Sequence, residues 1–85
     1  MNELDAFREK VREIDKEIIN LIWRRIEITK KIGEKKKEKS IPLRNWDLEK
    51  SIIENAITIA KDLGISQGLI KSIMQHLIME SVIRS

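Results

Sequence analysis

The chain has no cysteine, so neither a disulfide framework nor thiolate chemistry is available to it. Its one histidine, His76, stands apart from any carboxylate cluster, which argues against a metal site. No apolar run reaches the roughly 20 residues needed to span a bilayer. The first residues alternate charged and apolar side chains, unlike a secretory leader, and a cytoplasmic location is the expectation. Proline occurs once and glycine three times, so little interrupts regular backbone. Neither the period-two alternation of strands nor an internal repeat is present. What remains is an all-α chain, and its 85 residues form one domain, 1–85, near the lower limit of what a single core stabilises.

Charged residues make up 36% of the chain, yet the net charge is only +3, because most lysines and arginines are interleaved with glutamates. The exception is the stretch of Lys30, Lys31, Lys35, Lys36, Lys37 and Lys39, opposed only by the charges of Glu34 and Glu38. Such a patch attracts a polyanion, an acidic lipid or nucleic acid. It is equally the ordinary way to place cations at the negative pole of a helix. No helix-turn-helix or base-reading motif accompanies it, so neither nucleic acid nor membrane is the expected partner.

The apolar residues Leu4, Phe7, Val11, Ile14, Ile18, Leu21, Ile28 and Ile32 recur at the three-to-four spacing of one helical stripe. Asn2 is the expected cap, with Glu3 and Asp5 in the first turn. The first helix therefore runs from about residue 2 to about residue 39, with Glu27 and Lys31 as an attractive pair on its flank. Pro42 disfavours helical geometry at Ile41 and ends it. Asn45 caps a second helix carrying Ile52, Ala56, Ile59 and Leu63, with Ile53 and Ala60 beside them; Gly64 stops it. Ser66 caps a third, with Leu69, Ile70, Ile73, Met74, Leu77, Ile78 and Val82. Trp23, Trp46 and Met74 are assigned to core or interface packing.

A helix of about 36 residues is about 54 Å long. A compact domain of this size has a radius of gyration near 12 Å, hence a diameter of roughly 30 Å. The first helix must overhang its own partners, and its stripe continues along the overhang. A second copy packed helix to helix would cover it, and an intertwined isologous dimer is expected. The monomeric alternative lays the second and third helices end to end along the first.

Arg25 stands in register with Leu21, Ile28 and Ile32, where a hydrophobe belongs. Burying it demands a negative partner. That partner is either an acidic side chain such as Glu54 or Glu80, or an anionic ligand. Lys36 follows about three turns later on the same side. Arg8 lies about 25 Å from Arg25 and points away from it; across a dimer, however, the two come together. Glu49 is a dipole-compensating first-turn carboxylate or the acceptor for a substrate hydroxyl. Ser81 and Ser85, one turn apart, face the same cavity or, for Ser81, bond back to their own helix.

In order and spacing, Arg8-Glu9-Lys10, Ile14-Asp15, Arg25, Gly33-x-x-Lys36, Pro42-Leu43-Arg44-Asn45 and Glu49 closely resemble the all-helical chorismate mutase family, together with the third helix bearing Gln75 and Ser81. The resemblance implies an intertwined three-helix homodimer with two sites. It implies the Claisen rearrangement of chorismate to prephenate, on the route to phenylalanine and tyrosine, without cofactor or metal. Arg25 and the partner copy's Arg8 would bind the two carboxylates, and Lys36 would donate to the ether oxygen. Glu49, helped by the start of the second helix at Asn45, would hold the ring hydroxyl, and Ser81 would line the pocket. The chain departs from the family pattern at three positions. Leu48 stands where an arginine usually contacts substrate, Asn45 replaces a frequent aspartate, and Ser85 takes the place of a glutamine or glutamate that assists at the ether oxygen. Losing one such donor costs about 10²–10³-fold in rate. The same scaffold also serves isochorismate pyruvate lyase, and a non-catalytic helical dimer, regulatory or nucleic-acid-binding, is the alternative outside enzymology.

Overall fold

The computed structural model describes residues 2–84. Three helices follow one another: α1 (Glu3–Glu38), α2 (Trp46–Leu63) and α3 (Gln67–Arg84). Each begins on a side-chain oxygen that accepts from an otherwise unpaired backbone N–H. Asn2 Oδ1 accepts from Asp5 at 2.8 Å, Asn45 Oδ1 from Leu48 at 3.0 Å, and Ser66 Oγ from Leu69 at 3.2 Å. The cap and stop positions match the sequence expectation at all three starts and at Gly64.

Two helix ends close in the same way but with different residues. After α2, Ile65 N–H donates to Ala60 O at 2.8 Å and Gly64 N–H to Lys61 O at 3.2 Å, with Gly64 at φ 70°. After α1, Ile41 N–H donates to Lys36 O at 2.8 Å and Ser40 N–H to Lys37 O at 3.2 Å, with Ser40 at φ 54°. Both are Schellman closures, which need a left-handed residue. Gly64 meets that need without strain, and Ser40 meets it despite its Cβ.

The helices form an elongated body of 57 × 25 × 16 Å with a radius of gyration of 16.4 Å. The long dimension is α1, and the chain is wider in gyration than a compact domain of its length. Helix α3 packs against both α1 and α2, whereas α1 and α2 make no close backbone approach to each other. This differs from the end-to-end monomeric arrangement. A helix with neighbours on two sides needs apolar residues on two sides. Leu69, Ile70, Ile73, Met74, Leu77, Ile78, Met79, Val82 and Ile83 are distributed around α3 accordingly.

Among the described residues only Gly33, Ala60 and Ile78 are buried. Every residue from 2 to 21 is exposed, including Leu4, Phe7, Val11, Ile14, Ile18 and Leu21. The covered side of α2 runs through Ile52, Ile53, Ala56, Ile57 and Ala60, not through Ile59 and Leu63, which are 59% and 68% exposed. Trp23 and Trp46 are likewise outside the core of the chain. The reason is common to all of these. Helix α3 is only 18 residues long and covers one end of α1 and one face of α2, so the other apolar surfaces have nothing in the chain to meet. On the flank of α1, Glu27 pairs with Lys30 at 3.7 Å rather than with Lys31. No described helix is long and apolar enough to cross a membrane.

The two closures make opposite predictions. Ser40→Gly relieves the left-handed strain and raises the unfolding free energy by about 0.5–1 kcal/mol, whereas Gly64→Ala introduces it and lowers stability by about 1 kcal/mol. Urea unfolding followed by circular dichroism measures both.

Candidate active site

Where α3 crosses α1, a cavity of about 150 Å³ opens between α1, α3 and the start of α2. On α1 its lining residues are Arg25, Thr29, Ile32, Gly33 and Lys36, spaced three to four apart on one face of the helix. The loop and α2 add Leu43, Asn45, Leu48, Glu49 and Ile52; α3 adds Ile78, Ser81 and Val82. Arg25, Lys36, Glu49, Asn45, Leu48 and Ser81, singled out from the sequence, thus converge on one cavity although up to 56 residues separate them along the chain.

Arg25 ties α1 to α3. Its Nη1 donates to Leu77 O at 3.2 Å and to Ser81 Oγ at 3.0 Å, and Ser81 Oγ donates in turn to Leu77 O at 3.0 Å. Ser81 therefore bonds back to its own helix and lines the cavity at once. Neither acidic partner expected for Arg25 meets it: Glu54 pairs with Lys50 at 3.9 Å, and Glu80 with Arg84. Those carboxylates find a lysine or arginine four residues away on their own helix, and Arg25 is left with neutral oxygens. Its guanidinium has N–H donors to spare.

Lys36 is held from both ends. Its carbonyl accepts from Ile41 in the closure of α1, and its Nζ donates to Leu43 O at 3.0 Å. Again the acceptor is neutral. The turn at Ser40 and Pro42 folds the loop back over the last turn of α1 and so brings Leu43 to the ammonium.

Glu49 behaves differently. Arg44, just before the cap of α2, grips both of its carboxylate oxygens, Nη2 to Oε1 at 2.6 Å and Nε to Oε2 at 3.2 Å. The carboxylate side chain is only 16% exposed. The hydrogen bonds from Arg44 hold it below the usual carboxylate range, with its own partial burial opposing the shift and the charges of Arg44 and Lys36 adding to it. Arg44 stands within the Pro42-Leu43-Arg44-Asn45 motif, where the sequence alone assigns it no role. The signal was a long basic side chain five residues before a first-turn glutamate, close enough to reach over the cap.

The cavity is thus lined by two cations, Arg25 and Lys36, whose observed partners are uncharged, and by one anion whose charge is balanced from outside the wall. Arg8 is elsewhere: it sits near the start of α1, 3.5 Å from Asp5, with its side chain 63% exposed. Ser85 lies outside the described residues. Among the described residues no group of three or more His, Asp or Glu side chains converges.

Glu49 supplies a pH-dependent part of the stability. Its carboxyl is depressed in the folded chain relative to about 4.3 when unfolded. The contribution is therefore complete above that unfolded value and is lost as pH falls through the lower, folded one. Wild type should exceed Glu49→Gln in urea midpoint at pH 7, and the gap should close progressively below about pH 4. A gap independent of pH would contradict this.

The family described as chorismate mutase type II matches residues 7–85. The bifunctional chorismate mutase/prephenate dehydratase of Buchnera aphidicola subsp. Schizaphis graminum is 30% identical over 82 residues, 96% of this chain and 21% of that protein. The protein of the same description from Escherichia coli (strain K12) is 30% identical over the same shares. The T-protein of Enterobacter agglomerans is 28% identical over 79 residues, covering 93% of this chain and 21% of its own length. The chain spans about a fifth of the length of these relatives. Matched along nearly all of its own length, and carrying a two-cation cavity where its three helices meet, it belongs to the chorismate mutase type II family.

Proposed function

We propose that the chain rearranges chorismate to prephenate in the cavity between its three helices, as one of two equivalent sites in a cytoplasmic homodimer. One observation carries the reading: Arg25 and Lys36 face one cavity and, among the described residues, hydrogen-bond only to neutral oxygens. Chorismate is a dianion. Exchanging Leu77 O and Ser81 Oγ for a substrate carboxylate gives Arg25 a charge-assisted bond without breaking any ion pair. Lys36 turns from Leu43 O to the ether oxygen and stabilises the negative charge that grows there as the C–O bond breaks and the new C–C bond forms. Glu49 and the start of α2 at Asn45 receive the ring hydroxyl, with Leu48 and Ser81 as walls. The reaction is unimolecular, so no base or nucleophile is needed. Holding the substrate in its compact conformer supplies the ordering part of the catalysis.

The second carboxylate falls to Arg8 of a second copy. The uncovered stripe of α1, from Leu4 to Leu21, is the surface on which that copy would pack. A patch of that length is more than soluble monomers usually leave open.

Purified protein should consume chorismate and release prephenate. Lys36→Ala should lose about 10²–10³-fold in kcat, and Arg25→Ala should abolish measurable turnover. Supplying isochorismate in parallel and identifying the products separates mutase from pyruvate lyase. Protein that leaves chorismate unchanged ends the proposal.

The shared site has its own test. Arg8→Ala and Arg25→Ala should each be inactive alone. Refolded together in equal amounts, they should regain about a quarter of wild-type activity, because half the dimers are mixed and each mixed dimer has one site with both arginines. No recovery in a mixture shown to exchange subunits would remove the second copy from the site.

A further inference from the structure

Glu49 lies in the partition between two hollows. One is the cavity described above. The other is a groove on the far side of α2 and α3, where Arg44, Trp46, Lys50 and Lys71 are found. Arg44 lines only the far groove, so it reaches the carboxylate from behind and does not face the cavity. Its guanidinium also stacks 3.7 Å from the centre of the Trp46 ring. With one face on an aromatic and one edge on a carboxylate, the fork has little freedom left, unlike an exposed ion pair of two long side chains.

We propose that Arg44 is a positioning residue: by gripping both oxygens of Glu49 from behind, it presents the carboxylate to the cavity as a fixed, charge-compensated acceptor that takes a ligand hydroxyl beside a bound anion. This rests on the reading of Glu49 as the hydroxyl partner of chorismate. Each carboxylate oxygen can accept more than one hydrogen bond, so the two bonds from Arg44 leave acceptor capacity toward the cavity. Without Arg44, a carboxylate facing a dianion is repelled, and its easiest relief is to take up a proton. A protonated Glu49 would keep only a neutral carbonyl oxygen as acceptor for the hydroxyl, a weaker one than the carboxylate. The other charged groups around Glu49 cannot substitute. Lys36 and Arg25 of α1 face the cavity and are the ligand's own partners, while Lys50 and Glu54 of α2 and Lys71 of α3 line the far groove. Among all of these, only Arg44 hydrogen-bonds the carboxylate.

The test compares wild type, Arg44→Gln and Arg44→Lys, each confirmed helical by circular dichroism. Glutamate carboxyls are labelled with carbon-13, Glu49 is assigned through Glu49→Gln, and its titration is followed by NMR without ligand. The kcat and KM for chorismate are measured over the same pH range. In Arg44→Gln the Glu49 midpoint should rise to the ordinary carboxylate range, and the acid limb of kcat/KM should move with it. At neutral pH, KM should rise about tenfold, the loss typical of one charge-assisted hydrogen bond, with kcat changed less. Arg44→Lys restores the charge without the fork and should fall between the two. An unmoved midpoint in Arg44→Gln overturns the proposal, and so does a raised midpoint with unaltered kcat/KM. Wild-type protein inert toward chorismate would sink the functional reading separately; the titration would still decide whether Arg44 governs Glu49.

Discussion

Arg25 donates from one nitrogen to two oxygens of α3, a side-chain tie between the long helix and the helix packed against it. The same guanidinium is the cationic wall of the cavity. Its position in an apolar stripe would be expensive if it were sealed from water and unmatched. Here it is half-covered, hydrogen-bonded to a carbonyl and a hydroxyl, and open on one side to a cavity. Neutral acceptors satisfy its geometry without cancelling its charge. The residue thus holds two helices at a fixed separation and leaves an attraction for an anion between them.

The treatment of charge differs from one wall to the next. Lys36 follows Arg25 in having only an uncharged carbonyl as its observed acceptor. Glu49 is the reverse, matched by an arginine on the other side of the partition. A cavity with two cations hydrogen-bonded to neutral oxygens and one anion gripped from behind has a net pull on negative ligands, yet keeps an acceptor for a hydroxyl.

Local chemistry made much of this legible in advance. Asn2, Asn45 and Ser66 cap because a short oxygen-bearing side chain meets an unpaired N–H wherever a helix begins. Gly64 stops α2 because a left-handed residue is needed there. The face of α1 that forms one wall could be read from the misfit of Arg25 in an apolar stripe and from Lys36 three turns beyond. The faces of α2 and α3 were less legible. Ile59 and Leu63 belong to the same stripe as Ile52 and Ala56 by period, yet the covered side takes in Ile57 beside Ile53 and leaves Ile59 and Leu63 exposed. Periodicity gives the direction of an apolar side, not the width that a crossing neighbour will cover.

The linear order of residues settled three helices, their limits and the placing of Arg25 and Lys36 on one side of α1, because caps, closures and helical spacing depend only on neighbours a few positions away. It left open which oxygens Arg25 would find, that Arg44 rather than Lys36 would take the charge of Glu49, and that α3 would lie between α1 and α2. Those outcomes depend on distances between segments as many as 56 residues apart. They emerge only when the helices cross, since crossing decides which of several chemically equivalent partners comes within a hydrogen bond's reach.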